Sequence, residues 1–139
     1  CEKLQGQFTS GANSITQRAG IAALNGDLTP THEMTKAFRE RRNFVIDALK
    51  NMPGVKINVP EGAFYAFPDI SSFFGKSDGT NLIQNDEDFS MYLLHVAHVS
   101  TVNGTAFGNG NYIRISFATS MEQLQEAMLR IKTALANLK

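Results

Sequence analysis

The run at residues 112–117 constrains this chain most. Ile113, Ile115 and Phe117 alternate with Tyr112, Arg114 and Ser116, and a two-residue period places alternate side chains on opposite faces of a strand. One of those faces is apolar and has to be covered. A cover follows directly in the chain: Leu124, Met128, Ile131, Leu135 and Leu138 recur at helical spacing behind a Ser120 and Gln123 pair that marks a helix start. A strand whose buried face is met by the next helix belongs to a layered domain of helices on a sheet.

The remaining residues supply more of both elements. Ser14 and Gln17 form a capping box, Ile15, Ala19, Ala22 and Ala23 give a short apolar stripe, and Gly26 offers a left-handed stop; the polar residues 1–12 precede them. Thr29-Pro30 opens a longer helix, with Met34, Phe38, Val45, Leu49 and Met52 along one side and Pro53-Gly54 at its end. The period then changes. Val55, Ile57 and Val59 alternate with Lys56 and Asn58, Pro60-Glu61-Gly62 turns the chain, and the aromatic run 63–67 follows, which predicts an antiparallel strand pair. Residues 69–85 carry no period and predict a surface loop, in which Phe73-Phe74 argues for packing on something. Asn85 caps a third helix, where Asp86, Glu87 and Asp88 suit the positive end of the dipole and Phe89, Leu93 and Val96 form the apolar face. Residues 99–102 are a further strand candidate.

The order helix, helix, strand, strand, helix, strand, strand, helix predicts an α+β fold, a small mixed β-sheet with helices packed on one face. The other face of the sheet, carrying Tyr112, Arg114 and Ser116, then meets solvent or another domain. With 139 residues, the chain can bury roughly two thirds of its unfolded surface, enough for one core without disulfide or metal staples.

Charge narrows the partners. The 13 Lys+Arg balance 13 Asp+Glu, and no basic cluster exceeds Arg39-Glu40-Arg41-Arg42, so there is no footprint for phosphate backbones or anionic membranes. No apolar run reaches the roughly 18 residues of a spanning helix, and no signal-peptide pattern opens the chain. The expectation is a soluble, cytoplasmic chain with no nucleic-acid or membrane partner. A single Cys1 excludes an intramolecular disulfide and fits a reducing compartment. The first residue is not Met, which fits either processing or a piece of a longer chain.

Arg114 is the strongest candidate for chemistry. A mid-strand guanidinium presents a planar fork suited to bidentate binding of a carboxylate and stays charged at any usable pH. A solvated arginine on the wet face of a sheet has the same spacing, so the pattern alone leaves both readings open. Gly104, Gly108 and Gly110 lack the Gly-Lys-Ser/Thr of a phosphate loop and read as turn glycines. His95 and His98 stand three apart on one helix face without a third ligand, so no metal site is expected. His32 has no evident partner. Thr9 and Ser10 lack a nucleophile-elbow frame, and Cys1 lacks a base. Asp86, Glu87 and Asp88 are accounted for by their helix turn. No complete catalytic set emerges.

Taken together, several stretches resemble class I aspartate aminotransferases. They are Gln7-Phe8-Thr9-Ser10-Gly11-Ala12-Asn13-Ser14-Ile15-Thr16-Gln17, residues 38–42, Pro60-Glu61-Gly62-Ala63-Phe64-Tyr65, Gly104-Thr105-Ala106-Phe107 and Tyr112-Ile113-Arg114-Ile115-Ser116-Phe117-Ala118, in the family's order. The resemblance implies a fold type I, pyridoxal 5'-phosphate-dependent enzyme that works as a homodimer. Residues 1–29 would then be the end of the large cofactor domain with a connecting helix, and 30–139 the C-terminal small domain. It implies that Arg114 holds the substrate α-carboxylate, that Phe64 lies on the substrate side, and that Ser10 approaches the neighbouring subunit's site or interface. Gly11-Ala12 departs from the Asn-Pro or Ser-Pro that this family often has there.

In such enzymes the Schiff-base lysine, the aspartate that pairs with the pyridine nitrogen and the phosphate-binding groups belong to segments upstream of Cys1. The resemblance therefore implies no catalytic residue in this chain, unknown cofactor-binding residues, and an inactive fragment when isolated. The full-length parent would move an amino group between an amino acid of the aspartate type and a 2-oxo acid, with the large domain as the missing partner. Two other readings stay open: a free-standing α+β module that binds a carboxylate or a protein, and another fold type I enzyme such as a decarboxylase, lyase or synthase.

Overall fold

A computed structural model describes all 139 residues, Cys1–Lys139. Their contacts divide into two compact units, Cys1–Thr35 and Lys36–Lys139.

The first unit contains α1 (Glu2–Thr9), α2 (Ser14–Asn25) and the beginning of α3 (Thr29–Lys50). Helix α1 forms from a stretch read as polar, whose apolar pair Leu4 and Phe8 stands one turn apart, and none of its side chains is buried. The start of α2 lies one residue earlier than the sequence suggests: Asn13 is the cap, its Oδ1 accepting from the Ile15 N–H at 2.8 Å, while Gln17 Nε2 donates to the Ala12 carbonyl at 2.7 Å. Gly26 ends α2 in extended backbone, φ −80° and ψ 179°, so the expected left-handed stop is not made. Glycine serves there by size, since a Cβ would stand 2.9 Å from the Ala22 carbonyl oxygen. Asp27 opens α3 by accepting from the Thr29 N–H at 2.9 Å and the Thr29 hydroxyl at 2.7 Å. Those bonds hold the Asp27 carboxyl below its ordinary pKa.

The second unit holds the core. Its sheet has three strands, β1 (Tyr65–Ala66), β2 (Val102–Asn103) and β3 (Ile113–Ser116), in the order β1-β3-β2. Tyr65 pairs with Ser116 and Ala66 with Ile115 on one side, Val102 with Arg114 and Asn103 with Ile113 on the other. The α+β class stands, and both pairings are antiparallel, so the sheet is not mixed. Residues 55–59 also do not pair with the aromatic run. Lys56 makes one bridge to Asp69, and the aromatic run pairs with β3 instead. Strand β3 wins because Ile113, Ile115 and Phe117 are all buried, whereas Val55 and Ile57 are only half-buried.

Behind β3 the core runs through Val45, Ile46 and Leu49 of α3 and the predicted stripe of α5 (Met121–Ala136). Ser120 caps α5 as expected, accepting from the Gln123 N–H at 3.3 Å. Residues 69–85 are part of this core and not a plain surface loop: Ile70, Phe73 and Ile83 are buried. Ser77 and Lys139 exchange two backbone bonds, tying this segment to the C-terminus. Helix α4 (Asp86–Tyr92) runs on into a π turn, Leu93–Ala97, that closes at His98 with φ 55°. That wider turn shifts the buried face, so Ala97 is inside and Val96, expected inside, is exposed. No helix of the chain is long and apolar enough to cross a membrane.

Candidate functional site

Strand β3 is central in the sheet, and Arg114 is paired with Val102 in the middle of it. Its neighbours Ile113 and Ile115 point into the core, so the two-residue period turns Arg114 to the opposite face. There the guanidinium is half-buried between two rings. Its carbon stands 4.4 Å from the Tyr65 ring centre and 4.3 Å from that of Phe107. Both lie within the roughly 6 Å over which a cation is attracted to an aromatic face, and guanidinium, being weakly hydrated, tolerates such a slot.

The slot comes from two separate places in the chain. Tyr65 belongs to β1, one residue past Phe64, whose carbonyl accepts from the Phe117 N–H at 2.9 Å and anchors the edge strand. Phe107 ends a 3-10 turn, Gly104–Phe107, that leads out of β2. Gly104 has to be glycine because a Cβ there would collide with the backbone oxygens of Asn109 and Tyr112. Phe67 supports the slot from behind, edge-on to Phe107 and stacked 4.9 Å from Tyr112.

No acid of this chain neutralises Arg114, because the single ion pair of the structure is Arg130 with Glu126. A half-buried cation held close to two rings, its charge unpaired, has N–H donors to offer an incoming anion. A carboxylate matches the guanidinium fork with two parallel bonds.

The site residues read from the sequence fall as follows. Phe64 is 40% exposed, with its ring 4.5 Å from that of Tyr65 and 6.1 Å from that of Phe38. It therefore continues the aromatic wall that begins at Arg114. Ser10 belongs to the first unit, where it ends α1 exposed and with φ 52°. Two participants escape sequence reasoning as individuals, the flanking rings of Tyr65 and Phe107, although both stand inside the motifs quoted above. A third is Asp86, accounted for in the sequence by its place in a helix first turn and buried in the structure. No three His, Cys, Asp or Glu side chains converge as a metal site, and His95 and His98 are both exposed.

The arginine slot lies on an α+β domain, and comparison with known proteins shows the family to which that domain belongs. The family model described as Aminotransferase class I and II matches residues 1–131. The chain belongs to that family. It is 48% identical to the bifunctional aspartate aminotransferase and glutamate/aspartate-prephenate aminotransferase of Petunia hybrida, over 100% of this chain and 30% of that protein. Against the aspartate/prephenate aminotransferase of Nitrosomonas europaea it is 45% identical, over 97% of this chain and 34% of that one. The crystal structure of the aspartate aminotransferase from Rhizobium meliloti superposes with a TM-score of 0.90 at 42% identity, covering 98% of this chain and 34% of that chain. The chain thus spans about a third of the length of the relatives it matches.

Proposed function

We propose that these residues are the C-terminal part of a pyridoxal 5'-phosphate-dependent aminotransferase that moves an amino group between an amino acid of the aspartate type and a 2-oxo acid. In this reading residues 1–29 close the large domain and 30–139 form the small domain of a cytoplasmic homodimer. Ser10 faces the neighbouring subunit's site or interface. The observation that carries the reading is the unpaired Arg114 guanidinium fixed between Tyr65 and Phe107. Relatives with aminotransferase names that match across the whole chain favour it over a free-standing carboxylate- or protein-binding module, and aspartate aminotransferase names favour it over another fold type I chemistry.

The cofactor itself does not fit this chain's own residues. Class I and II aminotransferases are generally pyridoxal-phosphate dependent, and the cofactor supplies an electron sink when bound. It needs a lysine held within a pocket. Six of the seven lysines here are exposed, and the seventh, Lys76, lies over the Phe73 ring. The groups that hold the cofactor therefore belong, in this proposal, to the large domain.

What the chain contributes is orientation. Arg114 takes the α-carboxylate bidentately, and Tyr65 and Phe107 keep its plane from rotating and exclude water from its two faces. Phe64 closes the substrate side of the same wall. Fixing the carboxylate fixes the α-carbon and hence the proton that must leave it.

Two charge-assisted bonds are worth about 3–6 kcal/mol together. In the full-length enzyme Arg114→Ala is expected to lower kcat/KM by roughly 10² to 10⁴. Arg114→Lys, which keeps the charge and loses the fork, should fall between the wild type and the alanine variant. Steady-state kinetics with aspartate and 2-oxoglutarate test this, and a loss below tenfold for Arg114→Ala overturns the assignment.

A further inference from the structure

Asp86 is the one buried charged side chain of the structure, at 4% exposure. Its own helix does not use it. Asn85 caps α4 by accepting from the Asp88 N–H at 2.9 Å, and Asp88 accepts from the Gln84 N–H at 3.0 Å. The Asp86 carboxylate instead reaches across to Thr105, where Oδ2 accepts from the backbone N–H at 2.7 Å and Oδ1 from the hydroxyl at 3.0 Å. No cation pairs with it. A carboxylate taken out of water and held only by two neutral donors is a costly way to make a turn, since a buried charge without a partner ion is heavily penalised.

Thr105 stands two residues before Phe107, in the turn that forms one wall of the arginine slot. The loop's other bonds are internal or run to the chain just before β3: Gly108 N–H to Thr105 O at 3.0 Å, Asn109 N–H to Gly104 O at 3.1 Å, and Gly104 N–H to Tyr112 O at 2.8 Å. These shape the loop but do not tie it to a helix. The link to α4 is Asp86. The return limb of the loop also closes over this link, because a Cβ on Gly110 would come within 3.0 Å of Thr105 Oγ1 and 3.6 Å of Asp86 Oδ1.

We infer that Asp86 is a positioning residue for the Arg114 site: it clamps the Thr105 turn to α4 and so holds the Phe107 ring against the guanidinium. The inference rests on the reading of Arg114 as the carboxylate-binding residue. It acts through Phe107, touches no substrate, and governs how well the fork is presented before substrate arrives.

The test uses the full-length enzyme and compares Asp86→Asn, Thr105→Ala, Thr105→Ser and Phe107→Ala, with Arg114→Ala alongside. Asparagine keeps the volume of the acid but removes the charge that strengthens its bond to the Thr105 N–H, so the turn is held less firmly without an emptied core. The expected result is a KM for amino acid and 2-oxo acid raised about five- to twentyfold in Asp86→Asn and Thr105→Ala, with kcat changed less than twofold. Thr105→Ser, which restores the hydroxyl, should return to within twofold of wild type. In a Phe107→Ala background Asp86→Asn should add less than twofold, because the ring it positions is gone.

A residue that merely stabilised the fold would not produce this split between KM and kcat, nor the loss of effect without Phe107. Unchanged KM in Thr105→Ala, or independent and multiplying effects of Asp86→Asn and Phe107→Ala, overturns the inference while Arg114→Ala still shows its large loss. If Arg114→Ala shows no such loss, the carboxylate reading falls first and this inference with it. Should Asp86→Asn fail to fold, Thr105→Ala and Thr105→Ser decide the outcome.

Discussion

Ala63 and His98 hold φ values of 58° and 55°, the left-handed region in which a side chain crowds the neighbouring carbonyl at roughly 1–2 kcal/mol. Ala63 precedes the Phe64 and Tyr65 pair, and His98 closes the π turn behind α4. Ala63→Gly and His98→Gly are each expected to raise stability by about 0.5–1 kcal/mol, the strain relief less the extra unfolded-state entropy of glycine. Urea denaturation reads this directly, and a lowered midpoint in both would contradict the strain argument. Gly104→Ala should do the opposite, costing about 3 kcal/mol or opening the Phe107 loop, because its Cβ meets backbone oxygens that cannot swing aside. Sequence offers Arg114 as a candidate, since a mid-strand guanidinium suits a carboxylate, but the alternation fits a solvated arginine equally well and only the family resemblance favours the first. It does not pick out Asp86, because an acid in a first helical turn reads the same whether it faces water or reaches across to a distant turn.

Long elements write themselves into sequence, and short ones do not. Helices α3 and α5 each repeat an apolar stripe over several turns, so the helices are legible, although in α3 Met34 of the predicted stripe is exposed and Ile46, outside it, is buried. Strands β1 and β2 have two residues each and no period to read; what selects their partners is the buried face of β3, a tertiary effect. The joint between α4 and α5 is likewise invisible in sequence. There the Tyr92 hydroxyl donates to the Ala134 carbonyl at 2.9 Å, across 42 residues of chain, and burial pushes the Tyr92 phenol above its ordinary pKa, with Asp78 adding to it. Tyr92→Phe keeps the ring and removes one buried bond, so a loss of about 1 kcal/mol is expected. The Ala134 carbonyl also accepts from the Asn137 N–H at 3.1 Å, which keeps the cost from rising further. A variant as stable as the wild type would mean that the hydroxyl contributes nothing to docking the helices.

Acid sensitivity of the second unit follows in part from Asp69, whose backbone bridges to Lys56 and Tyr112. Burial acts to raise the Asp69 pKa, but its bonds to Ser71 and the nearby Lys56 charge outweigh that and leave it lowered from 3.8. A carboxyl whose folded pKa is depressed stabilises the fold above its unfolded value, and the contribution is lost as pH falls through the folded one. Denaturation midpoints should therefore drop as pH falls below 3.8, and Asp69→Asn, which still accepts from Ser71 but carries no charge, should show a shallower drop. An identical pH profile in the two proteins would remove Asp69 from the account.

Every buried side chain of this chain lies in Lys36–Lys139, and none lies in α1 or α2. Phe8 is 86% exposed, Ile15 77% and Leu24 84%. Helices of 8 and 12 residues fall at or below the roughly 12–15 residues needed for even marginal stability alone in water. Such helices persist only when something covers them, which fits their assignment to the end of a larger domain. A chain trimmed to begin at Asp27 keeps the Thr29 cap and the whole core. It is expected to unfold cooperatively within a few degrees of the 139-residue chain and, having shed exposed apolar surface, to aggregate less. A peptide of residues 1–25 should give a far-ultraviolet circular dichroism spectrum close to random coil. Loss of the cooperative transition on trimming would show that α1 and α2 stabilise the core through contacts that burial within this chain does not reveal.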